Sequence, residues 1–225
     1  VKSLGRKSLA IEADVTDSKQ ITRLVQETID TFGKIDILVN VVGGNFRKRR
    51  ASPSQRFIDQ TEEEWDEIFA LNIKTQVLMC LAVVPHFMKQ KSGKIINISS
   101  GNSRYCDPTL MIYSVAKAGV DHFTRLLARE LAEHNINVNC VLPGPVHTPT
   151  VERIAARMIQ TMPEYKGLSV EEYIEKYRTT RIPLKKELMP EDIGRAVTFL
   201  VSEDAKMITG QCLSVDGGSL LRVAS

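Results

Sequence analysis

Three stretches decide how this chain folds: Lys94-Ile95-Ile96-Asn97-Ile98-Ser99-Ser100, Tyr113-Ser114-Val115-Ala116-Lys117 and Asn137-Val138-Asn139-Cys140-Val141-Leu142. The first and third are short runs rich in β-branched residues, the pattern of strands buried on both faces. Between them Val120, Phe123, Leu127 and Leu131 fall on one helix face, so a helix from Tyr113 to about His134 joins the two strands. Strand, helix, strand in that order predicts a parallel pair with a right-handed crossover. The alternation continues outward. Ile35-Asp36-Ile37-Leu38-Val39-Asn40 reads as a further buried strand, followed by Gly43-Gly44. Asp17 caps a helix carrying Ile21, Leu24, Val25 and Phe32, and Gly33 closes it. Thr61-Glu62-Glu63-Glu64 is a capping-box signature opening a long helix through Trp65 to Met88. Pro85 should bend that helix or loosen its last turn. Pro190 begins another helix, and Ile208 to Val215 closes the sheet before Gly217-Gly218. With no repeat or linker, residues 1–225 read as a single α/β domain with helices on both faces of a parallel sheet.

The chemistry gathers around the same stretches. Tyr113 and Lys117 are four apart, so they share a helix face and an ammonium can stand beside a phenol. A phenol near pKa 10 is a poor acid–base at neutral pH, and a neighbouring positive charge lowers it. Ser100 at the same point could hold a carbonyl oxygen, which suits ketone reduction or oxidation of a secondary alcohol. Read alone, the pair is equally an ordinary amphipathic helix with a surface lysine.

Composition narrows the field. The hydrophobic fraction is 43% and the formal net charge +3, too small to imply nucleic acid or an anionic membrane as partner. No run approaches the roughly twenty apolar residues of a membrane span. Cys80, Cys106, Cys140 and Cys212 include no Cys-x-x-Cys pair, and His86, His122, His134 and His147 show no ligand spacing. No metal is expected. Cys80, Cys140 and Cys212 read as buried core residues, Cys106 as a residue at a substrate mouth, and His147 as packing in its turn. A cytoplasmic location is the expectation.

Taken together, Asn72, Ser100, Tyr113, Lys117 and Pro143-Gly144-Pro145-Val146-His147-Thr148 resemble the short-chain dehydrogenase/reductase family, from about Ser8 to Gly218. The resemblance implies a Rossmann-like doubly wound fold and an NAD(P)-dependent oxidoreductase interconverting a ketone and a secondary alcohol. Tyr113 would be the acid–base. Lys117 would lower its pKa and hold the nicotinamide ribose, and Ser100 would polarise the substrate oxygen. Asn72 would anchor a relay water, with a helix kink as its structural alternative. Thr148 and the Val146 backbone, after Pro143 and Gly144, would grip the carboxamide. Asp14, beside Val15, would contact the adenine, and the Asn40 and Gly43 backbones would line the cleft. A small-molecule carbonyl or alcohol substrate and a homotetramer built on the helices at Trp65–Met88 and Tyr113–His134 are likewise implied. A non-catalytic scaffold or cofactor-sensing protein on the same fold is the alternative.

Departures from the family pattern are informative. Asn40-Val41-Val42-Gly43 stands where relatives have Asn-Asn-Ala-Gly, so any hydrogen bond of the second asparagine is gone. Relatives open with a strand and a glycine-rich turn that seats the pyrophosphate. This sequence has neither, and Lys7 to Ala13 reads as the third strand. In the order 3-2-1-4-5-6, strand 3 reaches strand 4 only through strands 2 and 1, so the sequence is expected to be a fragment. The choice of NAD or NADP rests on the end of strand 2 and stays open. Two stretches bear on the substrate. The basic run Phe46-Arg47-Lys48-Arg49-Arg50 reads as a solvated loop, a dock for an anionic substrate, or a nucleic-acid or localisation signal. Residues 150–189 form a variable lid mixing Met158, Met162, Tyr165, Tyr173 and Tyr177 with Arg157, Lys166, Lys176, Arg178 and Arg181. That mixture suits a substrate with an apolar body and an anionic head, or an amphipathic helix whose charges face water.

Overall fold

A computed structural model of the chain describes residues 1–44, 56–106 and 108–221. The basic run 46–50 lies outside the described residues. Four parallel strands, β1 (Ile37–Asn40), β2 (Gly93–Ile98), β3 (Ile136–Pro143) and β4 (Cys212–Val215), form one sheet in the order β1-β2-β3-β4. Each step in that order is bridged by helix, as parallel pairing requires. Neighbouring residues of β2 point to opposite layers. Ile95 packs with Val83 and Phe87 of α3 (Thr75–Gln90), with Ile21 and Val25 of α1 (Ser18–Phe32), and with Leu131 of α4 (Met111–Leu131). Ile96 packs the other way, on Leu200 of α7 (Pro190–Val201). The β2 start tolerates only glycine, because a Cβ at Gly93 would lie 2.3 Å from the Phe87 ring.

The helix ends follow the sequence signals. Asp17 accepts from the Lys19 N–H, and Gly33 at φ 84° closes α1. Thr61 and Glu64 make both bonds of a capping box at the start of α2 (Glu62–Phe69). The long helix is not uniform, however: five residues, Ala70–Lys74, form a π-helical turn between α2 and α3. Pro85 neither ends α3 nor unwinds its last turn, which closes at Lys91 with φ 52°. The run Glu62–Gln90 contains an 18-residue window of mean hydropathy 1.7, apolar enough by length and composition to cross a membrane. In the fold it is a core helix, with Ile68, Cys80, Val83 and Phe87 buried.

Two strand expectations are corrected. Lys7 to Ala13 takes no strand conformation, because among the described residues no strand lies beside it to complete a ladder. The last strand is Cys212–Val215 alone, since Gly210 at φ 71° turns the chain just before it. At the opposite side of the sheet β1 pairs only with β2 among the described strands, and Ile37, Val39 and Val41 are exposed.

Candidate active site

All four C-terminal strand ends point the same way, and the crevice they border is where open α/β sheets place ligands. β1 ends in Asn40 and β2 in Ile98, so the turns after them carry Gly43-Gly44 and Ser99-Ser100 to one spot. Ser99 is spent on structure, its hydroxyl donating to the Lys117 carbonyl at 3.0 Å. Ser100 caps a short 3-10 turn, accepting from the Asn102 N–H at 3.2 Å, and its hydroxyl lies near enough to the Tyr113 phenol to act on it.

Asn72 sits in the π-helical turn and is fully buried. Its side-chain amide copies a backbone ladder: Oδ1 accepts from the Gly44 N–H at 2.8 Å while Nδ2 donates to the Gly44 carbonyl at 2.8 Å. Nδ2 also donates to the Ile68 carbonyl at 2.9 Å. The helix distortion and the pinning of the β1 loop are therefore one feature, as π-bulges at functional sites often are. The Asn72 amide thus joins the π-helical turn to the loop after β1.

Lys117 buries its ammonium, and Nζ donates to the Ile98 carbonyl at 2.9 Å. A Cβ at Gly43 would lie 2.8 Å from both Lys117 Nζ and Asn72 Oδ1, so only glycine closes this corner. Burial draws the ammonium down to about 8, with Cys140 and Asp121 pulling weakly the other way. The phenol of Tyr113 is raised, not lowered: burial pushes it up, and the Ser100 hydroxyl opposes that only in part. The Lys117 ammonium lies over the ring, 5.8 Å from its centroid, and is bonded to Ile98.

Beneath this corner runs a polar thread that sequence patterning did not single out. Asn40 Nδ2 donates to Asn97 Oδ1 at 2.9 Å, and Asn97 Nδ2 donates to Thr124 Oγ1 at 3.0 Å. All three are buried, and Asn40 and Asn97 are register partners in the sheet. Asparagines in otherwise apolar strands were the available signal, since a buried amide needs a partner.

The expected cofactor residues divide into two groups. Pro143 ends β3, and Gly144 donates to the Val215 carbonyl at 2.9 Å with its Cα packed against Asp216, where a Cβ would come within 2.8 Å. Val146 bridges to Leu188, and Thr148 caps α5 (Pro149–Thr161) without using its hydroxyl in the cap. These lie at the crevice. Asp14 spends its carboxylate on the Thr16 N–H and hydroxyl at 2.8 and 2.7 Å, and Val15 borders a hollow of about 100 Å³ shared with Asn40, Val41 and Val42. Asp216 was missed by sequence reading; it folds the Asp-Gly-Gly turn by accepting from Gly218 N, Ser219 Oγ and Leu220 N.

Over the crevice, residues 150–189 are α5 and α6 (Val170–Arg181) joined by a short 3-10 turn. They roof a cavity of about 650 Å³ whose floor includes Ser100, Gly144 and Leu220. Cys106 lines its mouth, as expected. Tyr165 and Tyr173 meet edge to face at 4.9 Å on the roof, and Arg178 lines the same wall with its buried Nε unpartnered. His147 latches the roof to the floor: Nδ1 meets Glu187 and Nε2 lies 3.3 Å from Glu152 of α5. Two carboxylates on one imidazole favour the imidazolium, so its pKa is raised, chiefly by Glu187 and then Glu152.

Comparison with known proteins agrees with this geometry. The enoyl-(acyl carrier protein) reductase family profile matches residues 1–219. The 3-oxoacyl-[acyl-carrier-protein] reductase FabG of Thermotoga maritima is 32% identical over 208 residues, 92% of this chain and 75% of that protein. A crystal structure of a short-chain dehydrogenase/reductase from Burkholderia xenovorans superposes with a TM-score of 0.84 at 33% identity, covering 99% of this chain and 79% of that one. A 7α-hydroxysteroid dehydrogenase, solved with NADH and 7-oxo-glycochenodeoxycholic acid, reaches 0.81 at 28% identity over 96% of this chain and 76% of that one.

The latch carries a pH dependence. A raised histidine pKa contributes stability that is complete below the unfolded value of 6.5 and is lost as pH rises through the folded value. His147→Gln should therefore lower the melting temperature at about pH 6 and make little difference at about pH 9. Thermal unfolding of both proteins at the two pH values measures this; an equal deficit at both would show that the charge plays no part.

Proposed function

The chain belongs to the short-chain dehydrogenase/reductase family and is a nicotinamide-dependent oxidoreductase, and from that premise we propose that it interconverts a ketone and a secondary alcohol with Tyr113 as the acid–base. What supports this most is that Lys117 stands 5.8 Å from the Tyr113 ring beside Ser100, which lines the floor of a roofed cavity.

The residues present fit the cofactor. A buried ammonium has three protons, and Lys117 gives one hydrogen bond to Ile98, which leaves donors for ribose hydroxyls. Thr148 keeps a hydroxyl for the carboxamide beside the Val146 backbone. Val15 borders a hollow beside Asn40, and Asp14 precedes it, which supports an adenine contact there. When bound, the nicotinamide supplies or accepts the hydride. Ser100 Oγ holds the substrate oxygen, and the Tyr113 hydroxyl beside it gives that oxygen the proton in reduction. A phenol raised by burial keeps its proton at neutral pH, which favours the acid role over the base role. Lys117 steadies the site by placing positive charge under the phenol ring.

The substrate class follows from the roof. Tyrosines, Ile154 and Met158 offer an apolar wall, and the Arg178 guanidinium, which also pairs with Glu175, lines the same cavity. A ketone or alcohol with an apolar body and a carboxylate or similar anionic head matches both, as does the acid bound to the hydroxysteroid relative. Rates with NADH and NADPH, measured over paired ketones with and without a carboxylate, test this reading. The acids should show the lower KM, and Arg178→Leu should raise that KM by about tenfold to a hundredfold, the worth of one charge-assisted bond. Equal KM for acids and neutral ketones would remove the anionic head.

We also propose a homotetramer built through α3 and α4. Leu81 is 65% and Leu126 59% exposed on those two helices, apolar surface that a second copy would cover. Light scattering should return a tetramer, and Leu81→Arg with Leu126→Arg should return a smaller species; a wild-type monomer would refute the assembly.

A further inference from the structure

We propose that Cys140 and Cys212 form an oxidisable dithiol pair, a modification site that a hydroperoxide converts into a disulfide between β3 and β4. The two are direct register partners on neighbouring parallel strands. Such strands run about 4.8 Å apart, inside the Cα separation a disulfide accepts. Both thiols face α4: their sulfurs and a carboxylate oxygen of Asp121 all lie within 4.8 Å of one another. Cys140 Sγ donates to Asp121 Oδ1 at 3.8 Å, and Cys212 Sγ to the Asp121 carbonyl at 3.8 Å.

The two sulfurs differ in access and charge. Cys140 is fully buried, whereas Cys212 is half-buried and can meet a small oxidant. Arg104 reaches over the pair, donating to the Cys212 carbonyl at 3.1 Å and standing 3.9 Å from Asp121. The neighbouring Cys140 thiol, aided by the Arg125 and Arg104 guanidiniums, lowers the Cys212 thiol, while Cys212 and burial raise Cys140. One attacking thiolate and one resolving thiol is the arrangement that redox-active pairs need. The guanidiniums oppose a bound metal cation at the same place. The other cysteines lack these features: Cys80 is buried and pushed up to about 12, and Cys106 is exposed on the cavity mouth.

In the reaction, the Cys212 thiolate attacks a peroxide oxygen, an S–O bond forms, the O–O bond breaks, and hydroxide leaves to be protonated by solvent. Cys140 then passes its proton to Asp121 and attacks the sulfenic sulfur. The S–S bond forms as the S–O bond breaks, and the departing hydroxide takes the proton from Asp121. Two thiols lose two electrons, and one peroxide becomes two waters. The new bond lies three residues before Pro143 and four before Asp216, at the roots of the two turns that meet at Gly144.

The test oxidises the folded full chain carrying Cys106→Ser with a slight excess of hydrogen peroxide, then denatures it, alkylates free thiols and maps unreduced peptides. The expected product is one linked peptide pair holding Cys140 and Cys212, lighter by two hydrogens and separated by reductant. Adding Cys140→Ala should stop the reaction at a Cys212 sulfenic acid that dimedone captures. Recovery of Cys140 and Cys212 alkylated, links between chains, or Cys212 carried to sulfinic acid with Cys140 free would each overturn the proposal. The mapping itself needs no substitution in the pair, so it stands even if Cys140→Ala folds poorly.

Discussion

The buried ammonium of Lys117 is the constraint on which the site depends. A charge inside a fold is costly unless it is fixed and hydrogen-bonded. Here the Ile98 carbonyl at the end of β2 meets it. That bond fixes the height of α4 against the sheet, and so the height of Tyr113 one turn earlier. Gly43 must be glycine because a Cβ would strike the ammonium and the Asn72 amide together. Asn72 in turn reaches Gly44 only because the helix carries a π turn at Ala70–Lys74. Strand end, loop, helix distortion and α4 thus close around one cation.

The polar interior of the sheet extends this arrangement. Asn40, Asn97 and Thr124 link β1, β2 and α4 by directed bonds through an otherwise apolar layer. Apolar packing alone would let the strands shift slightly against α4, whereas satisfied buried amides hold one register. The crevice above is accordingly rigid on its floor, while its roof is joined through the exposed His147 latch.

Much of the fold was legible because its signals are local. The apolar runs of β1, β2 and β3 and the caps at Asp17, Thr61 and Pro190 each report on their own neighbourhood, and Ser100, Tyr113 and Lys117 meet as their spacing suggested. What escaped reading is non-local. Lys7–Ala13 has strand-like residues but no ladder beside it in the described sheet. The π turn adds one residue inside a mostly apolar window, where periodicity leaves no mark. Cys140 and Cys212 are brought together only by the register of β3 against β4, and residue spacing in the sequence hides them. Burial around Tyr113 is likewise non-local: spacing says that Lys117 shares its face, but not that Ile98 takes one of the ammonium's hydrogen bonds.

The central claim is that the proton comes from Tyr113 and that the cofactor is held by other groups. Tyr113→Phe, compared with wild type by calorimetric titration of reduced cofactor and by turnover of a carbonyl substrate, tests it most directly. The account predicts unchanged cofactor affinity and turnover lower by about 10²- to 10⁴-fold, the worth of a positioned acid. Turnover close to wild type in a variant that binds cofactor normally would contradict it.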